Sequence, residues 1–307
     1  MSFHVPASFQ TKYKNNLEMV LQQQSSKLEG AVMVQDDASA EKIKIKDLVG
    51  NTAPNEADER HGDTKYNNTP HDGVWLSKPT ELYYAELVDN ADKLATSIDL
   101  TGTYTMSGAG TVNRSRDRRI LEGIYGSIIS GKDGTTVTPF PAGQVVGVDV
   151  GGGGQPTRMN TKKLRAANKL LASQHVDTSE QRFMVLTAEQ SDDLLSEIPA
   201  TSSDFTGSFG GQVVDGFITK LLGWNFIHVE LANSLLGVAD MTVDGSGYRK
   251  NPFWVKSGVV LNYWQRLRSS IDTLPGKVLS TQVFAGTTCA ATRTQAGKVG
   301  YVLNSEA

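Results

Sequence analysis

Glu41-Lys42-Ile43-Lys44-Ile45-Lys46-Asp47-Leu48-Val49 alternates charged and apolar residues, the two-residue period of a strand with one dry face. Val74-Trp75-Leu76 and the run from Glu81 to Leu87 read as return strands. Between them, Asn51 to Gly73 is polar and rich in turn residues, with Pro54, Gly62 and Pro70. A polar stretch of roughly 20 residues without regular structure is uncommon inside a compact domain and is usually functional or bound to a neighbour. The segment therefore predicts a long hairpin arm with its own tip.

Upstream, Phe9, Tyr13, Leu17 and Leu21 recur every four residues, and Lys12, Asn15, Asn16, Gln22 and Gln23 fall on the other side. That spacing predicts a helix over 9–28 with a narrow apolar stripe, suited to lying across a surface. Downstream, helical patterns cover about 89–98 and 103–129. The second carries Arg114, Arg116, Arg118 and Arg119, with Gly102, Gly108 and Gly110 in its first half. Each glycine costs a helix roughly 1 kcal/mol relative to Ala, and each permits close backbone approach.

Gly131 to Pro156 reads as loop. Thr161 is the expected N-cap of a helix to about Ser173 that turns Leu164, Ala167, Leu170 and Leu171 inward. Phe183-Met184-Val185-Leu186 suits a buried strand. It runs into Thr187-Ala188-Glu189-Gln190, a capping-box pattern that opens a helix to about Glu197. Two strands are expected around Gly223, a loop over 232–251, and closing strands at 255–263, 281–293 and 299–302. The fold class is α+β, an open mixed core with two protruding arms.

Of the 307 residues, 38% are hydrophobic and 21% charged, so a real core can form. The formal net charge of -3 argues against a protein whose main task is to coat nucleic acid. Cys289 stands alone, which excludes an intramolecular disulfide and a multi-cysteine zinc site. Met1 to Pro6 lacks the basic-then-apolar pattern of a signal peptide. No apolar run approaches the roughly 18 residues of a membrane span. Synthesis in a cytoplasm is the expectation.

Site chemistry is sparse. Arg60, His61, Asp63 and His71 offer two imidazoles and a carboxylate within a short stretch, but their spacing matches no standard zinc signature. They also sit on an expected hairpin tip without the rigid support that a metal centre needs. Gly151 to Gly154 lacks the Lys-Ser/Thr of a phosphate loop and reads as a linker. The arginines of 114–119 could meet phosphates, but they spread around the helix, and ion pairing is their commoner use. The nucleophile elbow Gly-x-Ser-x-Gly does not occur. Cys289, within Thr-Cys-Ala-Ala, reads as a small core residue. No cofactor is implied.

The order of elements resembles the tailed-phage major capsid proteins of the Hong Kong 97 type. The likeness runs through 9–28 with Val32-Met33-Val34, Arg60 to Thr64 with Thr69-Pro70-His71, and Val88-Asp89 with Asp92-Lys93-Leu94. It continues in Gly131-Lys132-Asp133-Gly134, the helix 164–171, Trp254 to Val259, Thr281 to Ala285 and Thr292-Arg293.

The resemblance implies an N-terminal arm (1–33), an extended hairpin loop (34–86), a peripheral domain with a long spine helix (87–137), an axial domain (138–252) and a return to the peripheral domain (253–307). It implies self-assembly into hexamers and pentamers of an icosahedral head around double-stranded DNA, with no catalysis and no membrane. Scaffolding, portal and decoration proteins are the further partners it brings. Phe9, Tyr13, Leu17, Leu21, Arg60, His61, Asp63, His71, Trp75, Tyr83 and Tyr84 become the subunit-interface candidates. The rival readings are an encapsulin-like compartment shell, a tail protein, and a metal-dependent hydrolase using His61, Asp63 and His71.

Overall fold

Two buried hydrophobic clusters, each built on its own sheet, set the centre of the described residues. The computed structural model describes residues 23–37, 39–50, 52–56, 63–89, 100–197, 212–214, 216–230 and 238–306. Met184, Val185 and Leu186 of β8 (Arg182–Leu186) are fully buried, as expected for a strand covered on both faces. β8 pairs in parallel with β11 (Trp224–His228) and antiparallel with β12 (Tyr248–Val255). The sheet extends through β15 (Val299–Ser305) to β7 (Val145–Val146) on one side. On the other it runs through β10 (Phe217–Leu221) to β9 (Gln212–Val214), making seven strands.

The second centre is a four-stranded sheet in the order β1 (Met33–Gln35), β13 (Val259–Leu274), β14 (Ser280–Arg293) and β4 (Leu82–Val88). The helix α1 (Leu100–Tyr125) packs along it. Ile120, Leu121 and Ile124 are fully buried, each contributing about 1.5–3 kcal/mol of burial. The helix lies so close that a Cβ on Gly123 would sit 2.5 Å from the main-chain oxygen of Ala291, and one on Gly108 would enter the Tyr84 ring. These glycines offset their helix cost by admitting the sheet. Arg293, fully buried, donates from Nη1 to the Ile124 carbonyl at the helix end (2.6 Å) and lies 4.7 Å from the Phe140 ring centroid.

A third sheet joins β2 (Lys42–Val49), β3 (His71–Ser77), β5 (Ile128–Ser130) and β6 (Thr136–Thr138). The remaining helices among the described residues, α2 (Thr161–Ser173) and α3 (Ala188–Glu197), bury Leu164, Ala167, Leu171 and Leu194 against the seven-stranded sheet.

The structure adjusts several sequence expectations. Residues 23–28 are not helical, because the Lys27 and Leu28 N–H groups are taken by the Asp117 carboxylate and cannot close helical bonds. The rest of the expected 9–28 helix lies outside the described residues, as does most of 89–98. The long helix ends at Tyr125 rather than 129, because Ile128 to Ser130 pair with Thr136 to Thr138 and, at Ser130 and Ile129, with Val74 and Trp75. Asn160, not Thr161, caps α2, its Oδ1 accepting from Lys163 N at 2.9 Å. The capping box at 187–190 forms, with the Gln190 side-chain oxygen accepting from Thr187 N at 3.1 Å. Cys289 is buried, which pushes its thiol pKa up and suits a core residue. Residues 81–87 return not to the hairpin but to the four-stranded sheet, in register from Leu82↔Thr287 to Val88↔Thr281. Residues 253–307 divide between sheets: β13 and β14 stay with α1, and β15 joins the seven strands.

Candidate assembly surfaces

Asp117 sits in the middle of α1 with no exposed surface. Its Oδ2 accepts from Gln23 Nε2 (2.5 Å) and Lys27 N (3.0 Å), and its Oδ1 from Ser26 Oγ (2.5 Å) and Leu28 N (3.2 Å). Arg114 donates to the Gln23 carbonyl and Asn113 to the Gln24 carbonyl, each at 2.8 Å. The root of the N-terminal segment is thus clasped onto one face of the helix, and Leu28, Ala31 and Val32 sink into the core below it. Trp254 of β12 donates to the Ala31 carbonyl (2.9 Å), so the root also touches the seven-stranded sheet.

The hairpin has an equally firm base. Going out, Arg266 grips Asp36 with two bonds of 2.7 and 2.5 Å, Asn262 donates to Asp37 (2.8 Å) and Trp264 to the Ala40 carbonyl (2.7 Å). The hydrogen bond from Arg266 holds the Asp36 carboxyl below its usual pKa. Coming back, Lys78 N donates to the Glu41 carbonyl and β4 enters the sheet. A single network links the two roots. Tyr263 lies between the guanidinium groups of Arg116 (5.3 Å) and Arg266 (5.1 Å), and its hydroxyl donates to Glu29, which pairs with Arg116 at 2.6 Å. Burial, helped by Glu29, pushes the Tyr263 phenol pKa well up.

Beyond its base the ribbon runs in register from Lys42↔Ser77 to Val49↔His71, with an irregularity between Lys44 and Lys46. Farther out, Asn55 and Asn67 clip the two sides through their amides (2.7 Å). Part of the ribbon rests on its own chain: Trp75 Nε1 donates to the Gly131 carbonyl (2.8 Å), and Asp72 accepts from Gly131 N (2.7 Å). Gly134, at φ +65, lies under the indole, where a Cβ would stand 2.8 Å from Cγ.

One face of the four-stranded sheet carries bare apolar groups. Tyr83 is 68% exposed and stacks on Phe284 (5.9 Å), with Arg268 over the same Phe ring and Leu87 alongside. At the far end of the β13–β14 hairpin, Val278 is 90% exposed and Leu279 is also exposed, both in the left-handed backbone region.

Of the interface candidates, Phe9, Tyr13, Leu17, Leu21, Arg60 and His61 lie outside the described residues. Asp63 and His71 are exposed on the hairpin, Trp75 and Tyr84 are half-buried against their own chain, and Tyr83 faces out. Among the described residues no group of three His, Cys, Asp or Glu side chains is arranged to hold a metal ion, and no helix is long and apolar enough to cross a membrane. Each arginine of 114–119 has a partner on its own chain, the last two through Glu122. Sequence reasoning missed Asp117 and the Arg266–Asp36 grip. Asp117 stands inside an arginine run, which reads as local ion pairing.

A family model described as phage capsid protein matches residues 5–306. No curated protein matches the chain. Among solved structures, the capsid of Ralstonia phage GP4 is similar with a TM-score of 0.68 at 13% identity, over 99% of this chain and 97% of that one. The cyanophage P-SCSP1u capsid gives 0.68 at 12% identity, over 96% and 94%. A structure from Mycobacterium phage Che8 gives 0.65 at 17%, over 94% and 95%. At such identities the likeness is one of fold, and that fold is the Hong Kong 97 type. The fold described above is thus a known architecture, and with a family model running through nearly all of it the chain belongs to the phage capsid protein family.

Proposed function

We propose that this chain is the major capsid protein of a tailed phage, assembling as hexamers and pentamers into the icosahedral head around double-stranded DNA. It acts by assembly and not by catalysis. The observation that carries this reading is the pair of rigid roots. The N-terminal segment and the ribbon leave the body from fixed points, joined by Glu29, Tyr263 and Arg266, and the sheet between them bears an uncovered Tyr83–Phe284 face. Extensions held at the base and apolar surface left bare suit a subunit completed by its neighbours. Many modest contacts then act together, because closure of a shell makes the later ones effectively intramolecular.

The sheets support the following layout. The four-stranded sheet with α1 serves as peripheral domain, the seven-stranded sheet with α2 and α3 as axial domain, and 42–77 as the extended loop over an adjacent subunit. Scaffolding, portal and decoration proteins are the remaining partners. Synthesis is in the host cytoplasm, and the mature site is the virion.

Expression of the chain followed by negative-stain electron microscopy tests this. Closed shells are expected, formed alone or with a scaffolding protein. Tubes or permanently separate monomers would overturn it. Nuclease-resistant DNA inside particles from infected cells separates a phage head from a cargo compartment.

A further inference from the structure

β13 is 16 residues long, yet β1 pairs only with its Val260, Leu261 and Asn262. From Arg268 to Leu274 it runs in unbroken register with β14 on one side, and among the described residues no strand takes the other side. An open edge of that length is a template for a further strand, and neither proline nor lysine interrupts it. Side chains alternate between its two faces. On the α1 face, Leu267 and Ile271 are exposed beside a groove of about 340 Å³ that Thr105 and Ala109 also line. On the other face, Arg268 lies over the Phe284 ring and Asp272 is exposed, and neither forms a salt bridge among the described residues.

A strand that fits this edge offers a carboxylate opposite Arg268, a cation opposite Asp272 and an apolar group near Ile271. β13 of a second copy is such a strand. Turned antiparallel about a two-fold axis at Ser270, it sets Arg268 opposite the second copy's Asp272, and the symmetry repeats the pair. The two Ile271 side chains become diagonal neighbours about 7–8 Å apart, with Leu267 of each copy next in line. The other long open edges lack this property. About Lys44 or Ile45, β2 would set lysine opposite lysine, and β4 carries no cation to meet its Glu86.

We infer that two copies of this chain join along the Arg268–Leu274 edge of β13, antiparallel about Ser270, so that their four-stranded sheets become continuous. The contact covers the apolar groove, because Leu267 and Ile271 of each copy lie against those of the other. It rests on the assembly reading above and deepens it by naming one two-fold contact between subunits.

Single cysteines in the full-length chain test it. Ser270→Cys and Thr273→Cys chains are put through the assembly conditions, mildly oxidised and run on non-reducing gels, with the bond mapped by peptide mass spectrometry. The buried Cys289 is the internal control for a thiol that stays reduced. A disulfide between the two 270 positions is expected. None is expected at 273, where the axis holds the two copies about 20 Å apart. In the Ser270→Cys background, Arg268→Glu or Asp272→Arg alone should lower the yield of linked dimer roughly tenfold, and the two together should restore it. Linkage at 273 as strong as at 270, or a double variant that fails to restore the bond, would overturn the inference. Closed shells without the 270 bond would overturn it alone, and give the edge to a different strand. Separate monomers throughout would overturn it together with the assembly reading.

Discussion

Replacing Asp117 by Asn keeps the volume of the side chain and removes half of what it does. The carboxylate accepts four hydrogen bonds, two at each oxygen. An amide offers one accepting oxygen and turns an NH2 toward the other pair. The cheaper orientation keeps the oxygen on Ser26 and on Leu28 N, since Leu28 is fully buried and its N–H has no access to water. Gln23 Nε2 and Lys27 N then lose their acceptor, but both belong to less buried residues and can be hydrated. Hydrogen bonds to a charged acceptor contribute about 1.5–3 kcal/mol each against about 1 for neutral ones. Two lost and two weakened, with partial rehydration, give about 2–3 kcal/mol. Asp117→Ala also orphans the Leu28 N–H and should cost about 4 kcal/mol.

The loss is local, so limited trypsin digestion of the unassembled chain is the suitable assay. Lys27 lies inside the clasp, and at about 1.4 kcal/mol per tenfold the Asn variant should be cut there roughly 30–100 times faster. Cleavage after Lys27 at the wild-type rate in the Asn variant would refute the clasp as the anchor of the N-terminal segment.

Three further outcomes are expected. Gly123→Ala gains about 1 kcal/mol of helix propensity, yet its methyl meets the Ala291 carbonyl, which cannot rotate away; a net loss of about 2 kcal/mol should appear in the urea midpoint. Lys163 is fully buried with its ammonium on the Thr157 and Leu303 carbonyls, and burial lowers its pKa to about 8. Between about pH 8 and 10.5 the unfolded chain keeps a proton that the folded one has released, so stability rises with pH across that window. The urea-midpoint difference between wild type and Lys163→Met should therefore shift in favour of wild type from pH 7.5 to pH 10, and a constant difference would count against it. Val278→Gly relieves a β-branched residue at φ 52 and should stabilise the free chain by about 0.5–1 kcal/mol while lowering shell yield, two readouts of opposite sign.

Local patterns were legible where one short window holds both cause and effect. The charged–apolar alternation at 41–49 gave a strand, the capping box at 187–190 gave a helix start, and the apolar run at 183–186 gave a buried strand. The cap of α2 was misplaced by one residue because Asn160 and Thr161 are both capping types, and only backbone geometry separates them. What escaped is long-range. Tyr84 and Ala285 are cross-strand partners some 200 positions apart, and nothing near 81–88 announces that this strand leaves the ribbon. The donors to Asp117 likewise come from 90 residues upstream. Gly108 is the intermediate case: its helix-weakening character suggested a close neighbour, and only the fold identified it as Tyr84.

The position of Leu28, Ala31 and Val32 bears on timing during synthesis. These early residues share one core with Trp254, Val259 and Val299, so the cavity that receives them has no walls until the ribosome has made almost the whole chain. Contacts of such sequence separation form late. A nascent polypeptide therefore cannot present a finished subunit, and recruitment into a growing lattice waits for release of a full-length product. A chain that stops before Val299 lacks part of the wall around Leu28, and its exclusion from particles is the expected result.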